Sequence, residues 1–223
     1  MIWLEKCDYD LSHYLFCDGI YPLSLAHAIK LTQDIVRGLA SLYHRKLHHH
    51  DISPKNIMIN VRPTGPEAKI GDFDMTLVLQ KNPTLEMTSY SGGTPFFQAP
   101  EVEQGKQHNY VNDIFSIGCV LYYLLFRKDP SNAVVLPLLW RNFYTAGNIT
   151  FNYKMNPHIC SDLVDFIMRC LVNDPGKRWH LDEMVAHNII KRKVETFDEV
   201  DSKIGQITLN TRNFETVHIS KNI

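Results

Sequence analysis

Apolar residues recur along much of the chain with the spacing of amphipathic helices. From Ser24 to Arg45 they return every three or four positions, which predicts a helix with one buried face. This apolar stripe consists of Ala28, Leu31, Ile35, Leu39 and Leu42. Residues 113–126 are apolar on nearly every side, as expected for a helix in the centre of a helical bundle. A further amphipathic helix is predicted from Ser161 to Val172.

Strand signals are few and short. They lie at Ile2–Glu5, Ile57–Ile59 and Ala68–Ile70, and the last two are joined by a turn that contains proline and glycine. We therefore predict a mainly α fold, a helical bundle that carries a small β-hairpin. Residues 72–101 show no sustained periodicity and are rich in Ser, Thr, Gly and Pro. A long irregular segment in a compact domain is usually functional, so we expect the chemistry beside it.

Composition narrows the class of protein. With 223 residues, of which 44% are hydrophobic, the chain can bury one sizeable core, and we expect a single domain with a short tail. Lys and Arg (23) nearly balance Asp and Glu (24), and no basic stretch alternates with aromatic residues, so nucleic acid is not an expected partner. The five cysteines are scattered without a CxxC pair, which favours reduced thiols and a cytoplasmic location. The longest apolar run, residues 114–126, is too short to span a bilayer.

Three short motifs follow one another between residues 48 and 101. Residues 48–59 read HHHDISPKNIMI, residues 69–75 read KIGDFDM, and residues 99–101 read APE. This series resembles the H-R-D-x-x-x-x-N, D-F-G and A-P-E motifs of protein kinases. The resemblance implies the fold of the carboxy-terminal kinase lobe. It assigns residues 1–190 to a protein kinase-like domain and residues 191–223 to a tail of unknown role.

The resemblance also implies roles in phosphoryl transfer from ATP to serine or threonine of a protein substrate. Asp51 would be the base that orients the attacking hydroxyl, and Asn56 and Asp72 would hold Mg²⁺ against the phosphates. Thr94, in the series GTPFFQAPE, matches a threonine that serine/threonine kinases place against the catalytic aspartate. Ser53 stands where these kinases carry a lysine near the transferred phosphate, so it counts among the catalytic positions.

Other positions match supporting parts of the kinase fold. Backbone groups around Glu5 and Cys7 resemble the hinge that meets adenine, reached from the last strand of the amino-terminal lobe. Asp113 matches an aspartate that bonds to the backbone of the catalytic loop and fixes it to the core. Arg178 matches an arginine that pairs with the glutamate of A-P-E, which is Glu101 here.

Several motif positions depart from the kinase pattern. The given sequence shows no glycine-rich loop and no V-A-I-K lysine, so the resemblance implies that the amino-terminal lobe is absent except for its last strand. His50 replaces the arginine of H-R-D, which weakens control by a phosphorylated loop because histidine is only partly charged near neutral pH. Asp74 replaces the glycine of D-F-G and restricts the backbone there. Ser53 removes the positive charge of the kinase loop lysine, and Lys55 could replace that charge only if its side chain points inward.

Three alternatives stay open from the sequence. Loss of ATP-handling residues favours a pseudokinase, a scaffold or regulatory module that binds protein partners without catalysis. The stretches LEKCDYDLSHYL and NYVNDIFSIGCVLYY resemble the kinase of the unfolded-protein-response sensor that joins a kinase to an endoribonuclease. The chain could therefore dimerise with such a related kinase, although its tail is too short for a ribonuclease module. Finally, His44 and the run His48 to His50 beside Asp51 could hold a transition metal.

Overall fold

The computed structural model describes residues 5–15, 23–80, 88–89, 92–126, 149–151, 160–192 and 217–219. Its helices are α1 (Leu11–Tyr14), α2 (Leu25–His44), α3 (Pro100–Glu103), α4 (Val111–Phe126), α5 (Ser161–Cys170), α6 (Leu181–Ala186) and α7 (Asn188–Lys191), with a 3-10 turn at Pro54–Asn56. Its strands are β1 (Tyr9–Asp10), β2 (Leu47–His48), β3 (Ile57–Arg62), β4 (Gly65–Ile70), β5 (Leu77–Val78), β6 (Ile149–Phe151) and β7 (Val217–Ile219). Helices with small sheets agree with the predicted fold class.

Helix α2 follows directly from its sequence signals. Ser24 caps its start, because the Ser24 Oγ accepts a hydrogen bond from the backbone N–H of His27 at 3.2 Å. The apolar stripe is buried along the length of the helix. The helix ends at His44, and Lys46 then takes a positive φ of 57° that turns the chain away. The helix predicted from the periodicity is confirmed.

Helix α4 lies in the middle of the hydrophobic core. All its residues from Val111 to Tyr122 are buried, as the all-round apolar pattern predicts. Helix α5 packs against it so closely that a Cβ on Gly118 would lie 2.8 Å from the Cβ of Cys170. Helix α4 starts two residues before its predicted start, and helix α5 ends two residues before its predicted end. Both helices are confirmed.

The predicted hairpin is formed by β3 and β4. Ile57 lies opposite Ile70, and Arg62 lies opposite Gly65, whose φ of 105° closes the turn. Each strand is longer than predicted, because pairing continues to the turn. Strand β1 adds to the free edge of β3, and the hairpin packs on α2. Of the predicted strand Ile2–Glu5, residues 2–4 lie outside the described residues, and Glu5 does not belong to a strand.

Two long-range side-chain contacts close the domain. Gln33 on α2 donates from Nε2 to the carbonyl oxygens of Ile189 (2.9 Å) and Arg192 (2.8 Å), which ties α2 to α7. Arg178 forms a buried ion pair with Glu101, as the resemblance implies. Within the described ranges, no helix is both long enough and apolar enough to cross a membrane.

Candidate active site

The loop from His48 to Asn56 is held to the core by one buried carboxylate. Asp113, in the first turn of α4, accepts hydrogen bonds from the backbone N–H of His49 at Oδ2 (2.8 Å) and of His50 at Oδ1 (2.9 Å). The positive φ of His50, 69°, points the two successive N–H groups at the same carboxylate, in the manner of an anion-binding nest. The expected link between Asp113 and the loop backbone is confirmed.

The carboxylate of Asp51 is surrounded by hydrogen-bond donors. Its Oδ1 accepts from the backbone N–H of Thr94 (2.6 Å) and from the Thr94 hydroxyl (2.7 Å). Its Oδ2 accepts from Nδ2 of Asn56 (2.8 Å), which also donates to the Asp51 carbonyl oxygen (2.8 Å). Asp51 nevertheless stays partly exposed to solvent. The structure thus brings together three of the residues selected from the sequence.

Gly93 permits the close approach of Thr94 to this loop. Its φ is +109°, and a Cβ at this position would lie 2.7 Å from the carbonyl oxygen of His50. That distance is too short for any side chain, and the oxygen belongs to backbone that Asp113 already fixes. The glycine before Thr94 is therefore required by the contact between the two segments.

His49 connects the loop to the D-F-D segment. Its Nδ1 accepts from the backbone N–H of Asp51 (3.2 Å), so its proton lies on Nε2, which donates to the Gly71 carbonyl oxygen (3.0 Å). The Gly71 N–H in turn donates to the carbonyl oxygen of Asn56 (2.8 Å). The ring of Phe73 packs edge-on against His49 with centroids 5.5 Å apart. Asp72, between Gly71 and Phe73, is thereby fixed relative to the loop.

Asp72 itself carries an exposed side chain on a backbone with φ of 59°. Among the described residues, its Oδ1 accepts only a long contact, 3.4 Å, from the N–H of Asp74. A left-handed aspartate costs backbone energy that functional sites commonly carry. The Asp72 carboxylate is accessible to a cation from solvent. Asp74, in the same short turn, is also exposed.

Ser53 stands in place of the loop lysine of kinases, and Lys55 is the candidate to replace its charge. Ser53 is fully buried, and its Oγ has no hydrogen-bond partner in the described part of the chain. Lys55 is exposed on the 3-10 turn and forms no ion pair with a described residue. Among the described residues, neither of them forms a hydrogen bond or an ion pair with Asp51.

The segment with Glu5 and Cys7 lies along β3. The Asp8 N–H donates to the Ile59 carbonyl oxygen (3.1 Å). The exposed Glu5 carboxylate accepts from Lys69 Nζ (2.5 Å) and from Asn60 Nδ2 (3.0 Å). The hydrogen bond from Lys69 lowers the pKa of Glu5. The Glu5 side chain therefore fastens the segment to the hairpin, and the half-buried Cys7 thiol forms no disulfide.

One feature of the site was not foreseen in the sequence, namely the burial of His48 and His50 together with His108. Burial lowers the pKa of His48, and it lowers the pKa of His50 to about 2. The consecutive histidines were a signal, but nothing in the sequence pointed to His108. Among the described residues, no group of three or more His, Cys, Asp or Glu side chains is arranged to hold a metal ion, so the transition-metal alternative gains no support.

Comparisons with known proteins agree with the motif series. The sequence profile described as protein kinase domain matches residues 1–190. The probable serine/threonine-protein kinase mkcF of Dictyostelium discoideum is 31% identical over 173 residues, 75% of this chain and 24% of that protein. The inactive serine/threonine-protein kinase PLK5 of Mus musculus is 31% identical over 200 residues, 81% of this chain and 32% of that protein. The serine/threonine-protein kinase ATG1c of Arabidopsis thaliana is 26% identical over 212 residues, 93% of this chain and 27% of that protein.

The matched region is one part of each relative. The chain spans between 24% and 32% of the length of these three proteins. Two of the three are named as serine/threonine-protein kinases without the word inactive, and one is named inactive. The chain is therefore similar both to relatives named as kinases and to a relative named as inactive.

Proposed function

Because this chain belongs to the protein kinase domain family, we propose that it transfers the γ-phosphoryl group of ATP to serine or threonine residues of proteins. We assign residues 1–190 to the hinge and carboxy-terminal lobe of the kinase domain, and residues 191–223 to a tail of unknown role. The observation that carries the proposal is the Asp51 carboxylate, which is ordered by Thr94 and Asn56 and stays open to solvent. The names of the relatives support the substrate class.

In this mechanism, Oδ2 of Asp51 receives the proton of the substrate hydroxyl. Each carboxylate oxygen offers two lone-pair positions. At Oδ1 both positions are taken by the donors of Thr94, whereas Oδ2 uses one for Asn56 and keeps one for the substrate. The substrate oxygen bonds to the γ-phosphorus, the bond from that phosphorus to the bridging oxygen breaks, and the proton passes to Oδ2.

The oxygen atoms near Asp51 suit Mg²⁺, which commonly combines one or two protein side chains with substrate phosphates. Two contacts of Asn56 Nδ2 go to Asp51, which leaves Oδ1 as its ligand atom. The exposed Asp72 carboxylate would provide the second protein ligand. When bound, Mg²⁺ would neutralise charge on the transferred phosphate. The backbone around Glu5 and Cys7 would contact the adenine.

A second candidate function is a pseudokinase scaffold or regulatory module that binds a protein partner without catalysis. Ser53 favours it, because a buried serine places no positive charge at the phosphate. The similarity to a relative named inactive also favours it. Such a module could act by dimerising with a related kinase, and the likeness to the kinase of the unfolded-protein-response sensor stays a prediction.

Nucleotide binding is tested by the melting temperature of the 223-residue chain with and without millimolar Mg²⁺ and ATP. A ligand that binds only the folded state raises the melting temperature by mass action. We expect a rise that Asp72→Ala abolishes and that Asp74→Ala, a matched exposed carboxylate two residues away, preserves. No rise in the wild-type chain would count against both ATP binding and catalysis.

Turnover is tested separately with radiolabelled ATP and casein as the protein acceptor. We expect label on serine or threonine of casein, lost in Asp51→Asn while the ATP-dependent rise in melting temperature persists. A chain that binds ATP but gives no labelled casein above the Asp51→Asn background would overturn the kinase proposal in favour of the scaffold. Label that is unaffected by Asp51→Asn would contradict the assigned base.

A further inference from the structure

Three histidine rings pack together, two from the catalytic loop and one from the segment before α4. His48 and His50 are stacked, with ring centroids 3.6 Å apart and planes 29° apart. His108, from the segment before α4, packs edge-on against His50 with centroids 5.3 Å apart. The exposed fractions of the three residues are 0%, 4% and 2%. We refer to His48, His50 and His108 as the histidine stack.

The hydrogen bonds of the histidine stack suit neutral rings. The partner of His48 Nε2 is Oδ1 of Asn112, an acceptor, so this nitrogen carries the proton and donates. Similarly, His108 donates from Nδ1 to the carbonyl oxygen of Lys106 (2.9 Å). The remaining nitrogens, Nδ1 of His48 and Nε2 of His108, are buried and have no partner among the described residues. A second proton on either ring would create a buried donor without an acceptor.

The charged surroundings do not compensate for an added proton. Asp113 on α4 lies near the stack, with Oδ1 3.8 Å from His48 Nε2, and its charge favours a proton on His48, but burial outweighs this attraction. Within the described part of the chain, the other charges that act on His48 and His50 come from His49 and from the stack members themselves, and they would repel an added proton. Burial is the largest influence, and it lowers the pKa of both His48 and His50.

The stack connects the proposed base to a backbone bridge at Thr88. His50 immediately precedes Asp51, the proposed base. His108 forms a reciprocal backbone bridge with Thr88, in the long irregular segment that leads to Thr94, with N–O distances of 2.8 and 2.9 Å. A movement of the rings would therefore disturb the catalytic loop and the Thr88 bridge at once.

We propose that the histidine stack is a proton-operated latch, which holds the Thr88 bridge closed when its rings are neutral and releases it when the stack takes up a proton. Histidines exposed by release would titrate near pH 6.5, so the latch opens progressively as the pH falls below this value. Any effect of the latch on phosphoryl transfer rests on the proposed function, whereas the release of the Thr88 bridge does not depend on it.

The test is amide hydrogen exchange of the whole chain between pH 7.5 and 5.5, corrected for the intrinsic pH dependence of exchange. The reporters are the N–H groups of Thr88 and His108, each bonded in the bridge. We expect their opening constant to rise by about tenfold per pH unit for each proton taken up. We also expect it to depend only weakly on urea, because local opening exposes little surface. Neither reading requires catalysis or ATP, so failure of the latch is distinguishable from failure of the kinase proposal.

Two variants each remove one titrating ring. His50→Phe keeps a stacked ring, and His48→Gln keeps a donor at the position of Nε2. Each should reduce the pH dependence of the Thr88 and His108 amides. The exposed His44→Gln should leave it unchanged. If one variant fails to fold, the other variant and the wild-type profile still test the latch.

Two results would overturn the latch. In the first, the corrected opening constants of Thr88 and His108 do not change with pH. In the second, these amides exchange with the same free energy and the same urea dependence as the amides of α4. The histidine stack would then open only when the whole domain unfolds, and it would be a part of the core without a switching role.

Discussion

Arg178 and Glu101 form a bidentate ion pair inside the domain, with Nη1 2.6 Å from Oε1 and Nη2 2.9 Å from Oε2. Their side chains are 0% and 4% exposed. The guanidinium also donates to the carbonyl oxygens of Val111 (3.0 Å), Val172 (2.9 Å) and Asn173 (3.4 Å). One side chain therefore satisfies acceptors from the start of α3, the start of α4 and the segment after α5.

Removing one partner of this pair should be costly. We expect Arg178→Met to lower the free energy of unfolding by about 3 to 5 kcal/mol, because it leaves the Glu101 carboxylate buried without its counter-ion. Urea unfolding measures the change. As a matched control, Arg62→Met breaks the exposed pair with Glu67 (3.4 Å) and should cost about 1 kcal/mol or less. Equal losses in the two variants would contradict the structural role of the buried pair.

The two hydrogen bonds from the loop N–H groups of His49 and His50 to Asp113, here called the clamp, should weaken when Asp113 loses its charge. We expect Asp113→Asn to lower the free energy of unfolding by about 2 to 3 kcal/mol, since hydrogen bonds to a charged acceptor contribute more than neutral ones and the new amide N–H would face a loop N–H. Faster exchange of the His49 and His50 amides should accompany this loss.

Ser116→Ala is the control for the clamp. It removes a buried hydroxyl from the same helix, which donates to the carbonyl oxygen of Asn112 at 3.1 Å. We expect a loss of about 1 kcal/mol and no change in exchange at His49 or His50. If Ser116→Ala and Asp113→Asn had the same effect on these two amides, the clamp would not be specific to Asp113.

Acid should destabilise the folded domain through its buried histidines. Burial lowers the pKa of His48 and lowers that of His50 to about 2, whereas both take up protons near pH 6.5 in the unfolded chain. Between these values the unfolded state binds more protons, so stability falls as the pH decreases below 6.5. Each histidine contributes up to about 1.4 kcal/mol per pH unit.

Urea midpoints at pH 7.5, 6.5 and 5.5 measure this dependence. We expect little change between the first two and a clear decrease at the third. His50→Phe should reduce the decrease, because one titrating group is lost, while the exposed His44→Gln should not. Identical midpoints at pH 6.5 and 5.5 in the wild-type chain would contradict the burial of neutral histidines.

The sequence predicts those parts of the fold that repeat a local pattern. Helices α2 and α5 were recognisable from the repeated spacing of their apolar residues, and α4 from a run that is apolar on nearly every side. The turn between β3 and β4 could be predicted because it contains proline and glycine. Strands β1, β2 and β5 have two residues each, and pairing with distant segments alone makes them strands, so no local pattern could reveal them.

In the candidate site, too, some features could be predicted from the sequence and others could not. The motif spacing selected Asp51, Asn56 and Thr94, and the structure brings these side chains into contact. The burial of Ser53 and of His50 could not be read from the motifs. It depends on residues distant in sequence, as the bond between His48 and Asn112, 64 positions apart, illustrates.

The hydroxyl of Thr94 should matter for the rate of phosphoryl transfer more than for binding. Thr94→Val removes the donor at 2.7 Å from Oδ1 of Asp51 and leaves the backbone donor at 2.6 Å in place. The carboxylate then loses one of its restraints, and a misplaced catalytic group commonly costs about 100-fold in rate. On the proposed function, we expect kcat to fall by about 10- to 100-fold.

Comparison with Thr94→Ser separates the hydroxyl from the methyl group. Serine keeps the donor, so its kcat should lie within a few-fold of wild type, and the KM for ATP should stay similar in both variants because Thr94 has no assigned contact with the nucleotide. The measurement is steady-state transfer of label from ATP to casein. A wild-type rate in Thr94→Val, or a parallel loss in Thr94→Ser, would show that the hydrogen bond from the hydroxyl to Asp51 does not position the base.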